Sequence, residues 1–263
     1  MSRLRFNNLA SVPSAPASGK TEIFIGPDGK LKQIDALGVV TPCTQSTGTV
    51  LRILYIYQGT TLYTPTFGTR SLYIECIGAG GAGGGCVTGS GGSAGGGGGG
   101  GGALSTLWLA TVAASYALSV GLGGVAGGPG AAGNSGGDTT FGSPALCIAK
   151  GGSGGLPGAT NGTTPLFVPG GAGGLASAGL GSVTFGGSNG GRSIRLSGSI
   201  VSSGEGGDGP IGGGGAAEQN SVGAGNPGLT YGAGGSGGVM LSSSPATIGG
   251  VGFNGVIRVI EFG

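Results

Sequence analysis

Leu72-Tyr73-Ile74-Glu75-Cys76-Ile77-Gly78-Ala79-Gly80-Gly81-Ala82-Gly83-Gly84-Gly85 contains the change of rule on which the fold turns. The first six residues are apolar, aromatic or β-compatible and predict a strand. From Gly78 the side chains almost disappear, so hydrophobic periodicity has nothing left to act on. Outward from this point the chain divides in two. Of the 72 glycines in 263 residues, 7 fall in residues 1–76, and 72 minus 7 leaves 65 for residues 77–263. Average-globule expectations therefore hold only for the first part.

Glycine at about one position in three suggests collagen, but a triple helix needs an unbroken Gly-X-Y period and abundant proline. Here glycine is clustered (78–85, 95–102, 151–155, 170–174, 204–209, 212–215, 232–238) and only 13 prolines are present. A flexible Gly/Ser linker has no use for the apolar residues between the clusters. Glycine loses more backbone entropy on ordering than any other residue, so an ordered fold must recover that loss through main-chain hydrogen bonds. A left-handed threefold helix points its N–H and C=O groups outward with no internal bonds, and the missing Cβ lets neighbours approach. The expected fold class is mainly β and irregular: short strands and hairpins flanking a bundle of left-handed polyglycine II helices, behind a small N-terminal β connector module.

Strands are predicted at Val50–Tyr57, Leu72–Ile77 and Val256–Phe262, with a hairpin over Glu22–Asp35 turning at Gly26-Pro27-Asp28-Gly29. A second hairpin is expected within Ala103–Val120, with Ala113-Ala114-Ser115 as its turn. That stretch is long and apolar enough for a membrane span, but it lacks basic anchors and has Ser or Thr at four interior positions, so packing is the expected role. The domain reading is an N-terminal attachment and oligomerisation module over 1–48, then a glycine-rich distal domain over 49–263. The latter subdivides into a β lead-in (49–77), a glycine region with loops (78–255) and a closing strand (256–262).

Composition narrows function. Histidine is absent, which excludes Ser-His-Asp and Cys-His catalysis and any mixed Cys/His metal site. Charged residues are 8% and the net charge is +2, too little for a nucleic-acid footprint. Gly78-Ala79-Gly80-Gly81-Ala82-Gly83 satisfies G-x-G-x-x-G after a strand, but more glycine follows where a helix belongs, and the next acid is Asp138. Gly19-Lys20-Thr21 echoes a phosphate-binding loop, yet Ser14 stands where its first glycine should be. Cys43, Cys76, Cys86 and Cys147 match no zinc spacing and are read as reduced, small hydrophobes. The N-terminal residues lack an apolar secretory core, so the chain is read as not entering the Sec route. No enzyme activity, cofactor or metal is expected.

Tyr63-Thr64-Pro65-Thr66-Phe67, the strand and glycines at 71–81, Gly133–Gly142 and Gly250–Ile260 occur in an order that resembles the glycine-rich domain of bacteriophage tail-fibre and receptor-binding proteins. Asn8–Ser14 and Ile25–Leu31 resemble connector modules of phage fibres. The resemblance implies a virion-associated adhesin in the tail fibre or tail tip, synthesised in the host cytoplasm. It also implies loops that bind a bacterial surface polysaccharide or outer-membrane protein, other tail or fibre proteins as partners, and a homotrimer without membrane insertion. A scaffold with few side chains leaves recognition to its non-glycine insertions. These are Leu156–Pro169, Ser182–Ser203 and Met240–Ile248, and the candidate receptor-binding residues are Asn161, Thr163, Thr164, Phe167, Phe185, Ser188, Asn189, Arg192, Arg195 and Ser243. Hydroxyl and amide groups beside an aromatic face suit sugar or peptide recognition. The alternative is a structural or decoration fibre component that binds no receptor. Ice binding would need a flat Ala or Thr face of strict three-residue period, which does not extend beyond a few turns.

Overall fold

The computed structural model describes residues 11–18, 20, 22–28, 31–34, 36–42, 48–87, 91–158, 160–242 and 244–263. The chain forms two compact units, one running to Leu51 and including Phe262 and Gly263, the other Arg52–Glu261. The first unit contains the expected hairpin: Glu22–Ile25 pairs antiparallel with Leu31–Ile34, and Val40–Pro42 adds a third strand. Phe24 and Ile34 are its buried side chains, and Lys32 closes on Asp28 at 3.0 Å. Asp35, Gly29 and Cys43 lie outside the described residues, as do Gly19 and Thr21 of the phosphate-loop echo.

The second unit is built on a five-stranded sheet in the order Val183–Phe185, Leu104–Leu109, Ser71–Ile77, Val256–Phe262, Val50–Ile56. Side chains alternate along its long strands: Leu72, Ile74 and Cys76 point inward while Tyr73 and Glu75 point outward. Ile257 and Val259 alternate in the same way on the closing strand. This inner face packs on a second sheet, ordered Cys147–Ala149, Thr139–Phe141, Tyr116–Ser119, Leu62–Tyr63, with Tyr63, Tyr116 and Phe141 at the centre of the core. The hairpin expected within residues 103–120 does not form, because its two strands belong to different sheets. Leu104–Leu109 finds a longer partner in Ser71–Ile77, with six cross-strand pairs from Leu72↔Leu109 to Ile77↔Leu104. Tyr116 is drawn into the aromatic core, where its ring lies 4.8 Å from Phe141. The architecture is mainly β; the sole helical element among the described residues is the three-residue 3-10 turn Ala176–Ala178.

Past Ile77 the periodicity changes from two to three. Along residues 78–86 successive N–H groups donate to three different neighbours in rotation. Gly78, Gly81 and Gly84 donate to Ala103, Gly100 and Gly97; Ala79, Ala82 and Gly85 to Gly137, Asn134 and Ala131; Gly80, Gly83 and Cys86 to Phe253, Gly250 and Thr247. The carbonyls rotate likewise, accepting from 124 and 127, from 152, 155 and 158, and from 235 and 238. Residues 96–103 repeat the pattern with partners in 232–238, 150–156 and 188–191. Each of these two central segments is thus surrounded on all sides by main chain, and neighbouring segments run alternately away from and back toward the sheets. Each bond contributes about 0.5–1.5 kcal/mol net, and together they offset the entropy cost of ordered glycine.

Burial in the flanking segments has the same period. Gly121, Gly124 and Gly127 are buried while Leu122 and Val125 are exposed; Ile248 and Val251, and Glu205 and Asp208, are likewise exposed three residues apart. Glycine is required where the chains touch: a Cβ on Gly98 would stand 1.8 Å from the carbonyl oxygen of Glu205, and one on Gly83 1.9 Å from that of Ser236. The same bonding disposes of the G-x-G-x-x-G string. Its amides are committed to carbonyls of 103, 137, 253, 100, 134 and 250, and no helix follows, so no free amide cradle exists for a pyrophosphate.

Candidate functional site

Three of the residues expected at a receptor site meet in one groove. The antiparallel segments 169–174 and 187–192 are tied by Gly187 N to Gly174 O at 2.9 Å and Gly190 N to Gly171 O at 2.8 Å. Between them and the strand Leu166–Val168 lies an open depression of about 380 Å³, lined by Phe167, Pro169, Ala172, Asn189, Arg192 and intervening glycines. Phe167 is on the exposed face of a short strand, opposite Ile194, and 56% of its surface is accessible. Asn189 accepts a 2.9 Å bond from Gly173 N through Oδ1 and is exposed, leaving its N–H₂ donors without a protein partner among the described residues. Arg192 is exposed at the groove margin. An aromatic face, an amide and a guanidinium surround a concavity whose floor is glycine backbone.

Phe185 and Ser188 line an adjoining depression of about 270 Å³ with Leu104, Asp208 and Pro210. Residues 186–190 form the wall between the two hollows, so five expected residues share one flank of the glycine segments. Asn161, Thr163 and Thr164 lie elsewhere, at the end of the glycine segments away from the five-stranded sheet and beside a small sheet of Leu166–Val168, Ser193–Arg195 and Val201–Ser202. There Ser93 and Gly162 exchange backbone bonds of 3.0 and 3.2 Å, and Gly91 N donates to Ser242 Oγ at 3.2 Å. Ser243 lies outside the described residues.

Arg195 is where the structure departs most from expectation. It is 5% exposed, and its guanidinium donates to three carbonyls: Thr164 at 2.9 Å through Nε, and Ser93 and Thr160 at 2.8 Å through Nη1. It clamps three segments together rather than facing a ligand. Along Ser193–Arg195 the burial runs buried-exposed-buried, the reverse of what an apolar Ile194 between two polar residues suggests, so no local signal pointed to this role. Lys150 likewise closes on Asp138 near the sheet end of the glycine segments.

A second set of charged groups, missed in the sequence, lies under the closing strand. Glu261 is fully buried and receives Arg52 Nη2 at 2.6 Å, Arg52 Nε at 3.2 Å and Tyr63 Oη at 2.7 Å. Thr66 N and Thr69 Oγ1 add longer bonds to its other oxygen. Burial alone would raise its pKa, but bonds from Thr66, Tyr63 and Arg52 outweigh that and hold the carboxyl below its usual range. Burial and the same carboxylate push Tyr63 upward, so it remains a phenol donor. The arrangement holds the lead-in loop to the sheet. Among the described residues no cluster of three His, Cys, Asp or Glu is placed to hold a metal, and no helix is long and apolar enough to cross a membrane.

A family model for a glycine-rich domain matches residues 56–259. The match covers most of the chain, from the last residue of the outer strand into the closing strand, and the protein belongs to that glycine-rich domain family. Comparison with curated proteins returns no match.

Proposed function

We propose that this chain is an adhesin of a bacteriophage virion, located in the tail fibre or tail tip, that binds a bacterial surface polysaccharide or outer-membrane protein without catalysis. In this reading residues 1–48 attach it to other tail or fibre proteins as a homotrimer, and the glycine region is a bundle of polyglycine II helices that mounts the recognition residues. The bundle is supported by the rotation of each central segment's amides among three neighbours, which matches a threefold coil without internal bonds. The observation that carries the binding reading is the meeting of Phe167, from one insertion, with Asn189 and Arg192, from another, in one groove. Such a groove offers an aromatic anchor inside a polar rim, the usual make-up of a binding hot spot.

Adsorption to host cells tests this. Virions carrying Phe167→Ala with Arg192→Ala are expected to lose at least about tenfold in adsorption, equivalent to roughly 1.4 kcal/mol. Exchange of residues 156–203 with those of a related phage should move host range. Unchanged adsorption and unchanged host range together would leave the chain a structural or decoration component that binds no receptor.

A further inference from the structure

We propose that a concavity beneath the outward face of the five-stranded sheet is a binding site for a neutral saccharide ring. It encloses about 320 Å³ where Val50–Ile56, Ser71–Ile77 and Val256–Phe262 meet the glycine segments. This is at the lower end of the range for small-ligand sites, about 300–1,000 Å³.

Three tyrosines supply its walls. Tyr55 and Tyr57 project from the outer strand and its end with 48% and 49% of their surface accessible. Tyr57 stacks on Tyr231 at 5.6 Å, and Tyr231 meets Phe253 edge-on at 5.2 Å, so the wall is braced by rings rather than left to rotate. Its apolar floor includes Ile77 and Val256. The charged groups are Glu75 and Arg258, on adjacent strands, with Arg258 Nε 2.6 Å from Glu75 Oε2 and the guanidinium also bonded to Tyr55.

The charge balance selects the class of ligand. Carboxylate and guanidinium cancel within the hollow, so it has no net attraction for an ion, yet it retains acceptor and donor capacity side by side. Aromatic faces carry negative quadrupoles that favour the weakly positive C–H face of a ring. A neutral pyranose combines that apolar face with hydroxyls at its edge, placed to reach both members of the pair. The site is separate from the groove at Phe167, and its properties belong to the chain itself, whatever the chain's place in a virion.

Saturation-transfer NMR on the full chain tests this, with the methyl glycosides of glucose, galactose and mannose as probes and glucuronate as the charged control. Transfer to at least one neutral glycoside is expected in a chain carrying Phe167→Ala and Arg192→Ala, where the groove at Phe167 no longer contributes, and is reduced at least tenfold when Tyr57→Ala or Glu75→Gln is added and retained when Tyr57→Phe is added. No transfer to any neutral probe in that background, stronger transfer to glucuronate, or signal persisting once Tyr57→Ala is added overturns the proposal. So does a sedimentation result in which Tyr57→Ala dissociates an oligomer, since the hollow would then be a contact between copies of this chain.

Discussion

At Gly98 and Gly213 the same residue type stands in opposite situations. Gly98 would drive a Cβ into the Glu205 carbonyl, whereas Gly213 has nothing nearer than Asp208 Oδ1 at 3.7 Å. Gly98→Ala is expected to destabilise by at least about 1–3 kcal/mol, the range for overpacking, while Gly213→Ala is expected to be neutral or to stabilise by about 0.4–1 kcal/mol through the unfolded chain. Chemical denaturation of the two variants checks both. Glu261 gives a pH prediction. Its folded pKa is lowered, so its contribution is full above the ordinary carboxylate value of about 4.3 and is lost as pH falls through the lower folded value. Glu261→Gln should therefore unfold at lower temperature than the parent at pH 7, and the gap should narrow toward pH 3. The sequence made Phe167, Asn189 and Arg192 legible as exposed insertion residues. It hid the roles of Arg195 and Glu261, because partners such as Ser93 and Thr160, or Arg52 and Tyr63, are remote in the chain and carry no local pattern.

Among the elements, strands were readable wherever alternation and β-branched content coincided, as in Ser71–Ile77 and Val256–Phe262. What failed was pairing. Leu104–Leu109 and Tyr116–Ser119 look like consecutive hairpin strands, but pairing is decided by which sheet offers the better partner, and the chain between two strands does not encode that choice. The core elements also fix the state of the three described cysteines. Cys76 and Cys147 are fully buried side by side, each perturbing the other, and burial pushes Cys86 up to about 11. These thiols are expected to resist maleimide in the folded protein and to react promptly in denaturant, as peptide mass spectrometry would record.

For the molecule as a whole, the glycine region behaves as a solid of main chain. Its central amides, such as those of Gly80, Gly83, Gly98 and Gly101, are enclosed by neighbours that are themselves bonded. Hydrogen exchange should show these amides among the slowest in the chain despite their sequence, and exchange as rapid as in an unstructured Gly/Ser tract would refute an ordered bundle. Composition announced that glycine must be bonded laterally. It did not announce which segment lies beside which, since near-identical glycine stretches offer no side-chain identity to match. The three-residue burial of the flanking segments has a consequence for how such a chain can change. If these segments are the proposed threefold helices, removing or adding one codon in the stretch holding Leu122 and Val125 turns every following side chain by about a third of a revolution, out of register with the three-residue burial. Codons gained or lost in threes keep Leu122 and its successors facing water, so the lengths of these segments can drift only in whole turns while the residues they display vary freely.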